Sequence, residues 1–387
     1  MNNFKFPKYL LMIRGISILL TAIIILVANA FLNDDQFIDY TYAIISAAIG
    51  SSIISTILTP YAVRYFNSEK FDFTKSLNHR SIIMLFVFSC FITFFIILSA
   101  SSKTTFFPLY SLAGAEFFLN LILMLQRTNG QVLQEALYLT YRSFFDLGCL
   151  ILLYFFNEFI SFSIFLLACA IFRIILLTVE FNILKCFFIA FIQKKTGSWF
   201  LGFSLTHIKL ILISLITRFD ALILPTIVDP MLLRDLANLT RIYSLLIQLQ
   251  SSLFNKQIQY LFGSGSQMKV LAKTSKSGAW AGKIFIVLAP FYIILFNLLP
   301  YIHASDFGIA PLSAVAIYLV VISEAYLGPV FLVRNVLEIP LSLLEFLLWI
   351  LLWTSFTYLC IAYSYPIVIA FLSNFIMKIV AKKFIPA

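Results

Sequence analysis

An all-α integral membrane protein of about twelve helices is the fold class this sequence predicts, from its apolarity, the length of its apolar runs and the one-sided placement of its basic residues. Of 387 residues, 61% are hydrophobic and 11% charged, and the mean hydropathy is +0.99. A globular domain averages about a quarter charged residues, so no water-soluble core of this size accommodates such a chain. Its solvent is lipid. Forty-three Phe, 18 Tyr and 4 Trp supply bulk for lipid-facing surfaces, while 13 Gly and 12 Pro exclude collagen-like and low-complexity readings. The Phe, Ile, Lys and Asn bias points to an AT-rich bacterial genome.

A helix needs about 20 apolar residues to cross a hydrocarbon core of about 30 Å. The first run, Leu10–Leu32, is too long for a signal h-region and lacks a small-residue cleavage pattern, so it is expected to stay in the mature protein. Ile38–Val63 follows, with Pro60 near its end, and then Ser81–Ala100, Phe106–Gln126, Ala136–Phe156 and Phe159–Phe181. The second half offers Thr206–Val228, the more polar Leu236–Phe262, Ala281–Tyr301, Ala310–Val333, Glu338–Ile361 and Tyr363–Ala381.

Short loops rich in Lys and Arg stay in the cytoplasm. With the N-terminus inside, that side collects Lys5, Lys8, Arg64, Lys70, Lys75, Arg80, Arg127, Lys185, Lys194, Lys195, Lys256, Lys269, Lys273, Lys276, Lys283, Arg334, Lys382 and Lys383, and the opposite side keeps Lys103 and Arg234. The asymmetry supports an even helix count with both termini cytoplasmic. It also explains the net charge of +10, which in a soluble protein would invite a nucleic-acid partner. The long connections 67–80, 182–205 and 263–282 all fall on the cytoplasmic side. The middle one carries the amphipathic piece Leu184–Ile192 followed by Gln193 to Ser198, and reads as an interfacial linker. The expected organisation is a six-helix lobe over 1–181, a linker over 182–205 and a second lobe over 206–387.

The five Cys (Cys90, Cys149, Cys169, Cys186, Cys360) lie in or beside apolar runs without CxxC spacing, and read as small buried hydrophobes. His79, His207 and His303 are scattered, which gives no basis for a metal or a cofactor. Neither GxxxxGK[ST], HExxH nor GxSxG occurs, and no external loop is long enough for a catalytic domain. An enzyme is not expected. Asn238-Leu239-Thr240 matches a glycosylation sequon at a helix start.

An ionisable residue in mid-membrane costs several kcal/mol unless it faces protein or water, which makes each one a functional candidate. Arg14, Arg142 and Arg173 fall in the cytoplasmic half of the bilayer or near its midplane. Glu116, Asp146, Arg218 and Glu324 fall near the centre, and Asp220 and Arg241 in the outer half. Arg142 and Asp146 are spaced i,i+4 and can neutralise each other locally. Asp220 and Arg241, at matched depth on consecutive helices, can form an interhelical pair. Lys209, Glu180 and Lys378 lie close enough to helix ends to snorkel, and Arg14 one turn inside its helix has that option too. Arg173 and Arg218 have no acidic partner at i±3 or i±4. Buried arginine thus lies in both halves, and its planar, permanently charged fork suits phosphate. The expected substrate is anionic, with a phosphorylated lipid headgroup as the first candidate.

The run from Lys8-Tyr9-Leu10 to Arg14-Gly15-Ile16-Ser17, the run Ile216-Thr217-Arg218-Phe219-Asp220 with Leu222-Ile223-Leu224, and Leu236-Ala237 to Tyr243 resemble the first, seventh and eighth helices of the bacterial lipid-linked oligosaccharide flippases. These are the O-antigen and polysaccharide translocases of the multidrug/oligosaccharidyl-lipid/polysaccharide exporter superfamily. The resemblance implies two six-helix lobes set as a V around a cavity that opens alternately to each side. It also implies cavity arginines that engage the lipid pyrophosphate, here Arg14, Arg142, Arg173, Arg218 and Arg241, with Glu116, Asp146, Asp220 and Glu324 in cavity or ion-coupling roles. The function that follows is translocation of an undecaprenyl-pyrophosphate-linked repeat unit, for O-antigen or capsule, across the bacterial inner membrane. A polysaccharide polymerase and a chain-length regulator would be its partners. Two alternatives share the hydropathy. An integral O-antigen polymerase or glycosyltransferase lacks support because no large external loop exists, and a drug exporter of the same superfamily would favour acidic over basic cavity residues.

Overall fold

The computed structural model describes residues 8–66, 79–100, 106–128 and 131–180, together with 278–292, 318–323 and scattered positions between 209 and 355. All regular structure among these residues is α-helical. The N-terminal half holds α1 (Lys8–Phe31), α2 (Asp34–Phe66), α3 (His79–Ala100), α4 (Phe106–Thr128), α5 (Val132–Phe155) and α6 (Phe162–Val179). Each of the first six predicted spans is therefore a helix. Five have the length and apolarity to cross a membrane, and α3 contributes the shorter apolar stretch Phe86–Leu98.

The boundaries differ where local chemistry overrides hydropathy. α2 starts four residues before Ile38, because Asn33 and Gln36 cap it reciprocally: the Gln36 amide donates to Asn33 Oδ1 (2.9 Å) and the Asn33 amide to Gln36 Oε1 (3.4 Å). Asp34 and Asp35 add favourable charge to the same first turn. Downstream, α2 continues past Pro60 to Phe66. α5 begins at Val132 rather than Ala136, which brings Glu135 inside a helix. α6 starts later than predicted, behind Ser161, whose hydroxyl accepts from the Ile164 amide (3.4 Å).

α2 is the interior helix, with 83% of its membrane window buried against 33% for α5. It packs on α3 and α4, while α1 lies along α5 and α4 along α6. The close α2 contact depends on Gly50, where an added Cβ would meet Thr93 Oγ1 at 2.3 Å and the Phe117 ring at 3.2 Å. Small residues at such crossings are the means by which membrane helices approach, since lipid supplies no hydrophobic drive between them. The pair Gly278 and Gly282 does the same in the second half, where added Cβ atoms would run into Tyr326. Outward, α3 exposes Val87, Phe91, Phe95 and Leu98, and α6 exposes Ile171, Ile174 and Ile175, the apolar face expected toward acyl chains. Cys90, expected to be buried, also faces outward on α3, whereas Cys169 is buried and Cys149 half-buried. Cys186 and Cys360 lie outside the described residues.

One apolar core runs through Phe37, Ile49, Ile53 and Ile54 of α2 and Leu109, Leu112 and Phe117 of α4. It continues into Phe285, Tyr318 and Val321 from the second half. The charged residues sit within this apolar framework, where a buried charge left without a partner is costly.

Candidate functional site: a buried arginine cluster between the two halves

At the middle of the bundle, α4, α5 and α6 bring four charges together. Arg173 is fully buried and its guanidinium is spent on two carboxylates: Nε donates to Glu116 Oε2 (2.5 Å), Nη1 to Asp146 Oδ1 (2.9 Å) and Nη2 to Asp146 Oδ2 (2.8 Å). Nη1 donates in addition to the Cys169 carbonyl one turn back (3.0 Å). Arg142 Nη1 donates to Glu116 Oε1 (2.6 Å) and keeps some exposure, at 12%. Glu116 thus bridges two arginines, and Asp146 accepts a bidentate fork.

Two expectations need correction here. Arg142 and Asp146 are not a self-neutralising pair within α5, because Arg142 turns to α4 and Asp146 to α6. Arg173 lacks a partner on its own helix but has two from its neighbours. Local spacing could not reveal this, since the partners lie 57 and 27 residues away.

Asp146 has one further donor. Tyr40 of α2, 1% exposed, donates its hydroxyl to Asp146 Oδ2 (3.2 Å), and its ring lies against Phe165 with centroids 5.4 Å apart. The guanidinium of Arg241, from the second half, lies over the same ring at 4.9 Å from its centroid, within cation–π range. Arg241 is 9% exposed, and its Nε and Nη2 make no hydrogen bond. Among the described residues, and counting Arg241, three guanidinium groups face two carboxylates, an excess of one positive charge. The surplus falls on the arginine with unused donors.

A second cluster lies nearer the α4–α5 turn. Glu135 is fully buried and accepts from Arg14 through Oε2 (2.5 Å) and from Arg127 through Oε1 (3.1 and 2.6 Å). Arg14 is buried at 5% exposure rather than snorkelling, and its Nε has no partner. The seam between α1 and α5 continues with Thr140 donating to the Ile13 carbonyl (3.4 Å) and Thr21 meeting Ser143 (3.3 Å). Glu180, expected to snorkel, is buried and accepts from Gln134 and Tyr138. Lys209 is likewise buried, its ammonium 5.9 Å from the Phe346 ring centroid.

The halves also meet at Asn29 of α1 and Asn238, whose side-chain amides bond reciprocally (2.5 and 3.4 Å). Asn238 is 1% exposed, so the sequon it begins is closed to a glycosylating enzyme. Asn238 and Arg241, both in helical backbone and three residues apart, face the N-terminal half together. Arg218, Asp220, Glu324 and Lys378 lie outside the described residues, and with them the pairing of Asp220 with Arg241.

Sequence reasoning missed Tyr40, Glu135, Asn29 and the role of Asn238. Tyr40 was one of 18 tyrosines with nothing local to distinguish it. Glu135 was legible as a first-turn acid, but the hydropathy boundary at Ala136 left it outside the span. Among the described residues no group of His, Cys, Asp and Glu could hold a metal ion.

No protein-family model and no curated protein matches this sequence. Solved structures match in fold. A chain named protein A superposes over 99% of this protein and 96% of its own length, at 12% identity and a TM-score of 0.60. A MATE protein solved in its straight conformation covers 97% of this chain and 92% of its own, at 11% identity and a TM-score of 0.50. The chain therefore has the all-helical, multi-pass membrane fold of the MATE transporters, which has about twelve helices. An all-helical membrane fold of about twelve helices is what the sequence predicts.

Proposed function

We infer that the protein is a flippase that carries an undecaprenyl-pyrophosphate-linked oligosaccharide, an O-antigen or capsule repeat unit, from the cytoplasmic to the periplasmic leaflet of a bacterial inner membrane by alternating access. The observation that carries the reading is the surplus positive charge of the buried cluster among the described residues, with Arg241 Nε and Nη2 making no hydrogen bond where the two halves meet. A diphosphate is the complementary group: it is anionic, membrane-borne when prenylated, and matches the bidentate fork.

Within this reading the arginines divide. Arg241, Arg142 and Arg14 retain donors or exposure for the headgroup, and Arg218 is a further proposed contact. Arg173 has its donors committed to Glu116 and Asp146, so it acts by fixing those carboxylates and, through them, Arg142 and Tyr40. Glu116 and Asp146 then serve as counter-charges, and Asp220 and Glu324 remain proposed cavity or coupling residues. The two lobes over 1–181 and 206–387 are the proposed moving bodies. Fold alone does not choose substrate, and a drug exporter on the same fold is the second reading. It is disfavoured by the positive surplus, which repels the cationic compounds such a carrier would take up.

The test is deletion of the gene in its host with complementation by wild type or Arg241→Ala. Loss of surface glycan with accumulation of the lipid-linked repeat unit is expected, restored by wild type and poorly by the variant. Normal glycan accompanied by new sensitivity to cationic compounds would move the assignment to the exporter reading.

A further inference from the structure

The free edge of Arg241 is defined by what occupies its face. A guanidinium offers two surfaces: its flat face, which stacks, and its in-plane N–H edges, which bond anions as a fork. Nε and Nη2 make up one complete edge, and those are the atoms without a partner. The face is taken by the Tyr40 ring. Tyr40 is itself immobilised at both ends, with its hydroxyl on Asp146 Oδ2 and its ring against Phe165. That Asp146 oxygen also accepts from Arg173 Nη2 (2.8 Å), so the chain Arg173–Asp146–Tyr40–Arg241 runs from a rigid ion pair in one half to a free fork in the other. The hydroxyl bond to a carboxylate enriches the ring in electron density and strengthens its hold on a cation.

We propose that Tyr40 is the positioning residue for Arg241: its ring clamps the guanidinium face so that the Nε/Nη2 edge is presented, already oriented, to a diphosphate headgroup. The proposal rests on the anionic-substrate reading and adds how the site is assembled. Orientation matters because an arginine on a flexible stem loses rotamer freedom when it binds, a cost the clamp meets beforehand. The clamp also spans the two halves, so the edge is presented only while the second half is docked on α2.

The experiment uses the full-length protein in lipid nanodiscs and farnesyl diphosphate as the probe, with inorganic pyrophosphate and farnesol as separate arms. Affinity is measured for wild type, Tyr40→Leu, Tyr40→Phe, Arg241→Ala and the combination Tyr40→Leu with Arg241→Ala. Tyr40→Leu is expected to weaken farnesyl diphosphate binding about thirtyfold, the scale of a desolvated cation–π contact. Tyr40→Phe, which keeps the ring and loses the anchor, should fall between. In the Arg241→Ala background Tyr40→Leu should change nothing further, which a general packing role would not produce. Retained binding of pyrophosphate but not farnesol places recognition in the diphosphate. An undiminished affinity in folded Tyr40→Leu, or an equal loss in both backgrounds, overturns the clamp. If Tyr40→Leu does not fold, an unchanged affinity in Tyr40→Phe does so. Should Arg241→Ala itself bind normally, the anionic reading of the site fails instead.

Discussion

Arg173 illustrates how a buried charge is held in lipid. Its three nitrogens meet two carboxylates and a carbonyl, so the desolvation of the guanidinium is offset by short, charge-assisted bonds on every side. Removing only the arginine strands Glu116 and Asp146 without that counter-charge. Arg173→Met is therefore expected to lose about 3–5 kcal/mol of stability, seen as lower yield and a reduced melting temperature in detergent. Adding Glu116→Gln and Asp146→Asn should restore much of the yield, because the stranded charges are gone. The restored protein is still expected to export poorly, since Arg142 and Tyr40 lose their anchors. Recovery of both yield and export would show that the ion network has no part in transport. Arg241 is the opposite case, a cation whose face lies over the Tyr40 ring and whose Nε and Nη2 make no hydrogen bond.

Helix α2 is where one missing side chain decides packing. It crosses α3 and α4 at Gly50, and a methyl group there would lie 2.3 Å from Thr93 Oγ1. Thr93 cannot easily retreat, because its hydroxyl donates to the Ser89 carbonyl (2.9 Å) and approaches that of Ser46 (3.4 Å). Gly50→Ala should cost about 1–3 kcal/mol, the usual penalty of overpacking. Thr93→Ala in the same chain should return part of it, the remainder reflecting the Phe117 ring at 3.2 Å. Thermal unfolding in detergent, followed by size-exclusion fluorescence, measures both. Wild-type stability in Gly50→Ala would mean that α2 and α3 can separate without cost. Because α2 carries both Gly50 and Tyr40, a shift of this helix is also expected to displace the ring beneath Arg241.

On the scale of the whole molecule, the halves are joined by Asn29 to Asn238 and by Tyr40 to Arg241. Asn29 is near the end of α1 and Tyr40 in the second turn of α2, so both contacts lie toward one end of the bundle, in its periplasmic half under the proposed topology. Opening at that end must break them. Cysteines at Asn29 and Asn238, in a chain with the native cysteines replaced, are expected to cross-link on oxidation and stop glycan export. Reductant should restore it. A cross-linked protein that exports normally would exclude separation of the halves at this point from the cycle.

The sequence by itself determined the lipid solvent, the six spans of the first half and the identity of most buried charges. Each depends on a local quantity: hydropathy over about 20 residues, or an ionisable side chain inside such a window. Local capping chemistry moved the starts of α2 and α6 by a few residues, and α5 begins four residues before its hydropathic boundary, which was enough to hide Glu135. Only the tertiary structure decided who pairs with whom. Arg142 passes over Asp146 on its own helix for Glu116 on another, and Arg173, without a local acid, gains two. Tyr40 becomes part of the site solely because α2 lies at the centre of the bundle, between Asp146 and Arg241. The reason is physical. In a low-dielectric interior a charge takes whichever partner helix packing brings within reach of its fixed geometry, and sequence spacing records neighbours along one helix only.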